Sequence, residues 1–169
     1  MTKSIFLFIY FEFQSTLSIL RELVVGASFD LTSRIYVLFK RNKAWGISRG
    51  ELLQYPEDSL GFHLGCFLLK QNFEPQPHCE NHDIFHVLTG YETDTAQEIA
   101  LQFFLYGNGK RSPFLHLALF AGIILYPDHY ALFREAYHRG SIAGRLFDLD
   151  YEPILNKPFY QFKNQYLTL

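Results

Sequence analysis

Apolar residues along this chain recur at steps of three and four rather than in alternation. That spacing gathers them on one face of an α-helix. Leu17, Leu20, Leu23 and Val24 follow it, as do Leu31, Ile35, Leu38 and Phe39, so residues 1–50 read as N-terminal helices. Ser48-Arg49-Gly50-Glu51 has the spacing of a capping box and opens a short helix that ends near Tyr55-Pro56. Asp58 or Ser59 then caps the run from Leu60 to Leu69, and Pro75 and Pro77 force an extended loop before His78. A helix is predicted over residues 80–90 with Gly90 as its stop. Thr95-Ala96-Gln97-Glu98 reads as a second capping box, opening a helix to about Tyr106 that Gly107-Asn108-Gly109 breaks. Ser112-Pro113 pairs an N-cap with proline at the first helical position. Asp128 starts a further helix that Gly140 ends, and shorter pieces follow, one around Pro153 and one over residues 158–166. Without repeats or linkers, the expectation is one all-α domain over residues 1–169, a compact bundle of about seven helices.

Composition narrows the function. Eleven Tyr, eighteen Phe and one Trp give nearly as many rings as there are charges, which number 15 Lys plus Arg and 17 Asp plus Glu. So many rings call for a large core, an apolar cavity or a greasy surface patch. A net charge of −2 with no basic stripe argues against nucleic acid as a partner. The longest charge-free run, residues 112–127, is shorter than the ~20 residues of a spanning helix, so it reads as a buried core helix. The apolar stretch from Ile5 to Phe11 is stopped by Glu12 and has no small-residue cleavage site, so it reads as a packing segment rather than a secretory leader. Cys66 and Cys79 are too few for a disulfide framework and suit a reducing cytoplasm.

One constellation carries chemistry. In His82-Asp83-Ile84-Phe85-His86 two imidazoles stand four residues apart, on adjacent turns of one helix face, with a carboxylate between them. After an eleven-residue spacer Glu98 falls on the next helix, and antiparallel helices joined at Gly90 can bring it back beside His86. Mixed nitrogen and oxygen donors at His82, Asp83, His86 and Glu98 suit Zn, Mn or Fe(II). On spacing alone, ordinary readings compete: a His pair is often surface or satisfied core, and Glu98 can be simply half of its capping box. Cys79-x-x-His82 with His78 nearby offers a softer ligand set.

The string HDIFHVLTG, the eleven-residue spacer and Glu98 resemble the HDxxH-(11)-E signature of the coenzyme Q biosynthesis protein 4 family. Leu52-Leu53-x-Tyr55-Pro56-x-x-Ser59-Leu60-Gly61 is similar to that family's upstream segment, and Glu98-Ile-Ala-Leu-Gln-Phe-Phe to its following helix. Ala136-Tyr137-x-Arg139-Gly140, Leu146 and Tyr151-Glu152 are similar to its C-terminal stretch. The likeness runs from about residue 51 to the end. Phe85 stands where many members have Trp, Tyr151 replaces Trp, and residues 1–50 are unlike the family. The resemblance implies a metal centre at His82, Asp83, His86 and Glu98 and a role in ubiquinone biosynthesis. Members are associated with a membrane-peripheral assembly of ring-modifying enzymes and with replacement of the ring C1 carboxyl by hydroxyl.

The expectation that follows is a divalent metal, zinc first and Fe, Mn or Mg as alternatives, with Asp83 and Glu98 as catalytic carboxylates. A prenylated aromatic precursor would bind by a metal-lined mouth and an aromatic channel, with Phe85, Phe103, Lys110 and Arg111 as candidate contacts. Phe114, Leu115 and Ile123 to Leu125 could line it too, although ordinary packing accounts for each ring and a solvated loop for each charge. Partners beyond the precursor would be other quinone-biosynthesis proteins, and the aromatic excess is compatible with a homodimer. Arg is absent before Arg21 and Glu12 comes early, unlike a mitochondrial transit peptide, so the expected place is the cytoplasm of a bacterium. Peripheral contact with the inner face of the membrane is open to Lys40, Arg41 and Lys43. Three other functions stay open: a non-catalytic lipid-binding scaffold, a purely structural metal domain, and an HD-type phosphohydrolase using His63, His82-Asp83 and Asp128.

Overall fold

The computed structural model describes Ile19, Arg21 and residues 43–167. The predicted helices before Ser48, the apolar Ile5–Phe11 stretch, Lys40 and Arg41 lie outside the described residues. Those that are described form seven α-helices and no strand. They are α1 (Arg49–Leu52), α2 (Leu60–Gln71), α3 (Glu80–Thr89), α4 (Thr95–Gly107), α5 (Pro113–Leu125), α6 (Tyr130–Ile142) and α7 (Phe159–Leu167). Short 3₁₀ turns at Pro127–His129 and Glu152–Ile154 join them. The all-α expectation holds.

Local chemistry explains most boundaries. Ser48 and Glu51 form the reciprocal box, Ser48 Oγ accepting from Glu51 N at 3.2 Å and Glu51 Oε2 accepting from Ser48 N at 2.8 Å. Ser59 caps α2 and Ser112 caps α5, the latter with Pro113 leading the helix. Gly90 ends α3 in the left-handed region at φ 78°, where a side chain would be strained.

Two starts and one stop differ from the sequence reading. Asp94, not Thr95, caps α4, its carboxylate accepting from Gln97 N at 3.2 Å. Adjacent Asp and Thr are both good caps, and the extended backbone at Asp94 (ψ 158°) decides between them. Gly140 does not end α6 but lies inside it, because α6 crosses α4 so closely that a Cβ there would sit on the Phe104 carbonyl. Gly107 serves the same contact from the other side, facing the Tyr137 carbonyl. Asp128 opens a 3₁₀ turn rather than an α-helix, and the chain swings by 101° between α5 and α6.

Helix α4 is the spine: Ile99, Ala100, Leu101, Phe104 and Leu105 are buried, and its packing with α6 is the most extensive of any helix pair. Ile84 and Leu88 from α3, Leu64 and Leu68 from α2 and Phe133 from α6 complete the core around it. Asn108, just past α4, donates to the Gly140 and Gly144 carbonyls and accepts from Leu146 N and Phe147 N, tying α4, α6 and the following loop together. The segment leading into α7 is held to the start of α2 through Leu60 N and Gly61 N, which donate to the Lys157 and Leu155 carbonyls, and Phe159 N at the head of α7 donates to the Asp58 carbonyl.

The charge-free run over residues 112–127 is not a buried core helix. Leu115, Ala118, Leu119 and Gly122 of α5 face inward, while Leu117, Phe120, Ile123 and Ile124 are each more than half exposed. The helix lies at the margin of the bundle and meets it along one stripe only. No single helix among the described residues is long and apolar enough to cross a membrane.

Candidate metal centre

His82 and His86 project from one face of α3, and the reversal at Gly90 lets α4 return beside it. Because Asp94 caps α4, Glu98 is released from the capping role that the sequence offered it. The carboxylate bridges both rings, Oε2 lying 3.2 Å from His82 Nε2 and Oε1 3.1 Å from His86 Nε2. The two Nε2 atoms are 3.1 Å apart with the ring planes at 88°. These three side chains are the group, among the described residues, whose ligand atoms converge to within 4.8 Å of one another.

Hydrogen bonding fixes what these atoms offer. His86 Nδ1 lies 2.9 Å from the Tyr91 carbonyl oxygen. A carbonyl can only accept, so Nδ1 carries the hydrogen and Nε2 of the neutral ring is a lone pair aimed at Glu98 and His82. Two ring nitrogens and a carboxylate within 3.2 Å would repel one another unless positive charge sits between them. Protons or a metal cation satisfy that requirement. Donors held ~2.0–2.1 Å from a tetrahedral zinc stand about 3.3 Å from each other, so the observed spacing fits such an ion with little rearrangement. Phe67 stacks parallel to His86 at 5.5 Å and 11°, walling the buried ring, whereas the His82 side chain is 32% exposed. The cluster is therefore closed behind and open in front, as a site needs if it is to admit water or substrate.

The electrostatics follow from this packing. Burial pushes the Glu98 carboxyl up, but the His82 charge and the bonds from both imidazoles outweigh it and hold Glu98 at about 2. Burial disfavours a charged His86, yet its bond to Glu98 and the carboxylate charge raise it on balance. Asp83 behaves oppositely: burial lifts it to about 6 against the pull of His82 and His86. Asp83 lies outside the convergent trio and is coupled to it through charge.

The other predicted residues are placed as follows. Phe85 is buried in the core, edge-on to Tyr151 at 5.9 Å, with Lys110 Nζ 5.9 Å from its ring. Phe103 stacks on Phe133 at 4.9 Å. Arg111 donates to the Tyr106 and Lys110 carbonyls, both at 2.7 Å, and lies over the Tyr106 ring. His63 stacks on Phe159 at 4.0 Å and Asp128 pairs with Arg21 at 2.8 Å, so neither joins the His82 cluster as an HD-type hydrolase would require. Cys79 and His78 stay outside the cluster as well, and His78 lines a separate polar hollow of about 530 Å³ with Glu80 and Asp150.

Three residues to which sequence reasoning gave no role at the site support it. Phe67 supports a ring, and the Tyr91 carbonyl sets its tautomer. Arg139 grips the turn that carries Tyr91. Gln102 follows Glu98 by one turn on the same stripe of α4, 2% exposed, with its Oε1 lacking a partner among the described residues. Arg139 had a signal in the family-like Ala136-Tyr137-x-Arg139-Gly140 stretch, and Gln102 is a polar residue inside an apolar run four places after Glu98.

The chain has a TM-score of 0.62 to a crystal structure from Nostoc punctiforme, of a protein assigned provisionally to ubiquinone biosynthesis, covering 87% of this chain and 80% of that one at 18% identity. At that identity the likeness is one of fold. No curated protein matches the sequence. The sequence profile described as "Coenzyme Q (ubiquinone) biosynthesis protein Coq4" matches residues 41–167, so the chain belongs to that family.

Proposed function

We propose that the protein binds a divalent cation through His82, His86 and Glu98 and uses it on a prenylated aromatic precursor of a ubiquinone-type quinone. The carrying observation is the trio itself, three donor atoms 3.1–3.2 Å apart with the Nε2 of His86 aimed inward. Family membership supports a role in ubiquinone biosynthesis, and the donor set suits zinc first, with Fe or Mn as alternatives.

The reaction proposed is loss of the C1 carboxyl of the ring as CO₂, a proton taking its place on the ring carbon; the hydroxyl that follows would take one atom of dioxygen, a two-electron donor reducing the other to water. A dication at the trio supplies Lewis-acid stabilisation for the charge left on the ring. The protein's own groups do the rest. Buried His86, backed by Phe67, fixes one side of the site. Half-exposed His82 marks the open side by which a phenol or carboxylate approaches. Asp83, neutral or ionised near pH 6, can hold or release a proton close to the ring.

The test is release of labelled CO₂ from a carboxyl-labelled prenyl-hydroxybenzoate by the purified, metal-loaded protein. Metal-dependent release supports the enzyme reading. Tight binding without release assigns the non-catalytic scaffold instead, and neither binding nor release overturns the proposal.

A further inference from the structure

The turn between α3 and α4 carries the Tyr91 carbonyl that sets the His86 tautomer. The turn is held from a distance. Arg139 lies on α6, about fifty positions downstream, and its guanidinium makes two bonds to the turn. Nη2 donates to the Thr89 carbonyl at 3.0 Å and Nη1 to the Tyr91 hydroxyl at 3.2 Å, while the guanidinium carbon sits 5.1 Å from the Tyr91 ring centre. Tyr91 is 5% exposed and packs edge-on against Phe104. Between the two gripped residues is Gly90, whose left-handed backbone points the Tyr91 carbonyl back at His86 Nδ1. A planar, two-pronged cation suits this grip, since one prong takes the last carbonyl of α3 and the other the side chain of the residue two places on.

We propose that Arg139 is a positioning residue for the metal centre: by clamping Thr89 and Tyr91 it holds the Tyr91 carbonyl against His86 and so keeps the Nε2 lone pair turned towards Glu98 and His82. The inference rests on reading the trio as a cation site, but its first consequence concerns the metal-free ring. Without the clamp, the turn relaxes, the Nδ1 bond loosens, and both neutral tautomers of His86 are populated. Partners that orient a ligating His in this way typically contribute about 10- to 100-fold to metal affinity.

The experiment uses the full-length protein and Arg139→Met, which keeps an unbranched apolar stem and removes the donors. Long-range ¹H–¹⁵N NMR on the metal-free proteins, recorded at alkaline pH where the ring is neutral, reads the tautomer of His86, and competition titration with zinc alone reads affinity. Expected are a single Nδ1–H tautomer in the parent, a mixture in the variant, and zinc binding weaker by about 10-fold or more. Arg139→Lys, with one prong, falls between. A variant that keeps the Nδ1–H tautomer and the parent affinity overturns the inference. If the parent binds no zinc, the cation reading fails, and the tautomer comparison still decides whether Arg139 orients the ring. Should Arg139→Met not fold, Tyr91→Phe removes only the hydroxyl acceptor, and about fivefold weaker zinc binding with the same tautomer mixing is expected. No change in either readout for a folded Tyr91→Phe overturns the clamp.

Discussion

Asp83→Asn should make the metal-free protein more stable at neutral pH. The Asp83 carboxyl rises from 3.8 to about 6 in the folded chain, chiefly through burial. A carboxyl raised in this way favours the neutral acid on folding, so it costs nothing below the unfolded value and an increasing amount as pH climbs from 3.8 to about 6. Above that window the loss is constant. The shift corresponds to ~3 kcal/mol, or ~2 kcal/mol after allowing for solvent that reaches a partly exposed group. At pH 4 the same arithmetic leaves only about 0.5 kcal/mol. Urea unfolding in a chelator, for parent and variant at pH 4 and pH 7, measures both ends. The variant midpoint should be clearly higher at pH 7 and nearly equal at pH 4. Added zinc should then narrow the gap at pH 7, because a cation in the trio rewards the ionised carboxylate that burial penalises. A variant no more stable than the parent at pH 7 would show that Asp83 is not a destabilised carboxylate, and would remove it as a proton-holding group.

The frame that presents the site is testable by other means. Asn108→Leu keeps the volume but strands two carbonyls and two backbone amides, and should cost about 4 kcal/mol in urea unfolding, at about 1 kcal/mol per bond lost. A loss under 1 kcal/mol would mean that water replaces those bonds. Gly140→Ala must push α6 off the Phe104 carbonyl and should cost about 3 kcal/mol, read as a lower melting midpoint. An unchanged midpoint would mean that the α4–α6 crossing is looser than described. His63→Ala, by contrast, removes a ring stacked on Phe159 and should leave zinc binding unaltered. Lost zinc in a folded His63→Ala protein would revive the HD-type reading.

How much of this was legible in the sequence varies by interaction range. Caps are written in consecutive residues, so Ser48, Ser59 and Ser112-Pro113 mark their helices faithfully. The four-residue step from His82 to His86 fixes a shared face, and Gly90 sets the return that carries Glu98 to them. Where two neighbours compete for one role, as at Asp94 and Thr95, only the backbone decides. The α5 run failed for a different reason. A segment without polar residues carries no period, so nothing in it says which face meets the bundle. Gly140 misled because glycine marks both helix ends and close crossings. The roles of Arg139, Phe67 and Asn108 were not legible because their partners lie about twenty to fifty positions away along the chain. Their contacts are properties of the packing.

The most direct test of the cation site is metal content. Elemental analysis of the purified protein after zinc loading and exhaustive dialysis should find about one ion per chain, and His86→Ala, folded by circular dichroism, should find little or none. Equal stoichiometry in the two proteins, or none in the parent, would contradict it.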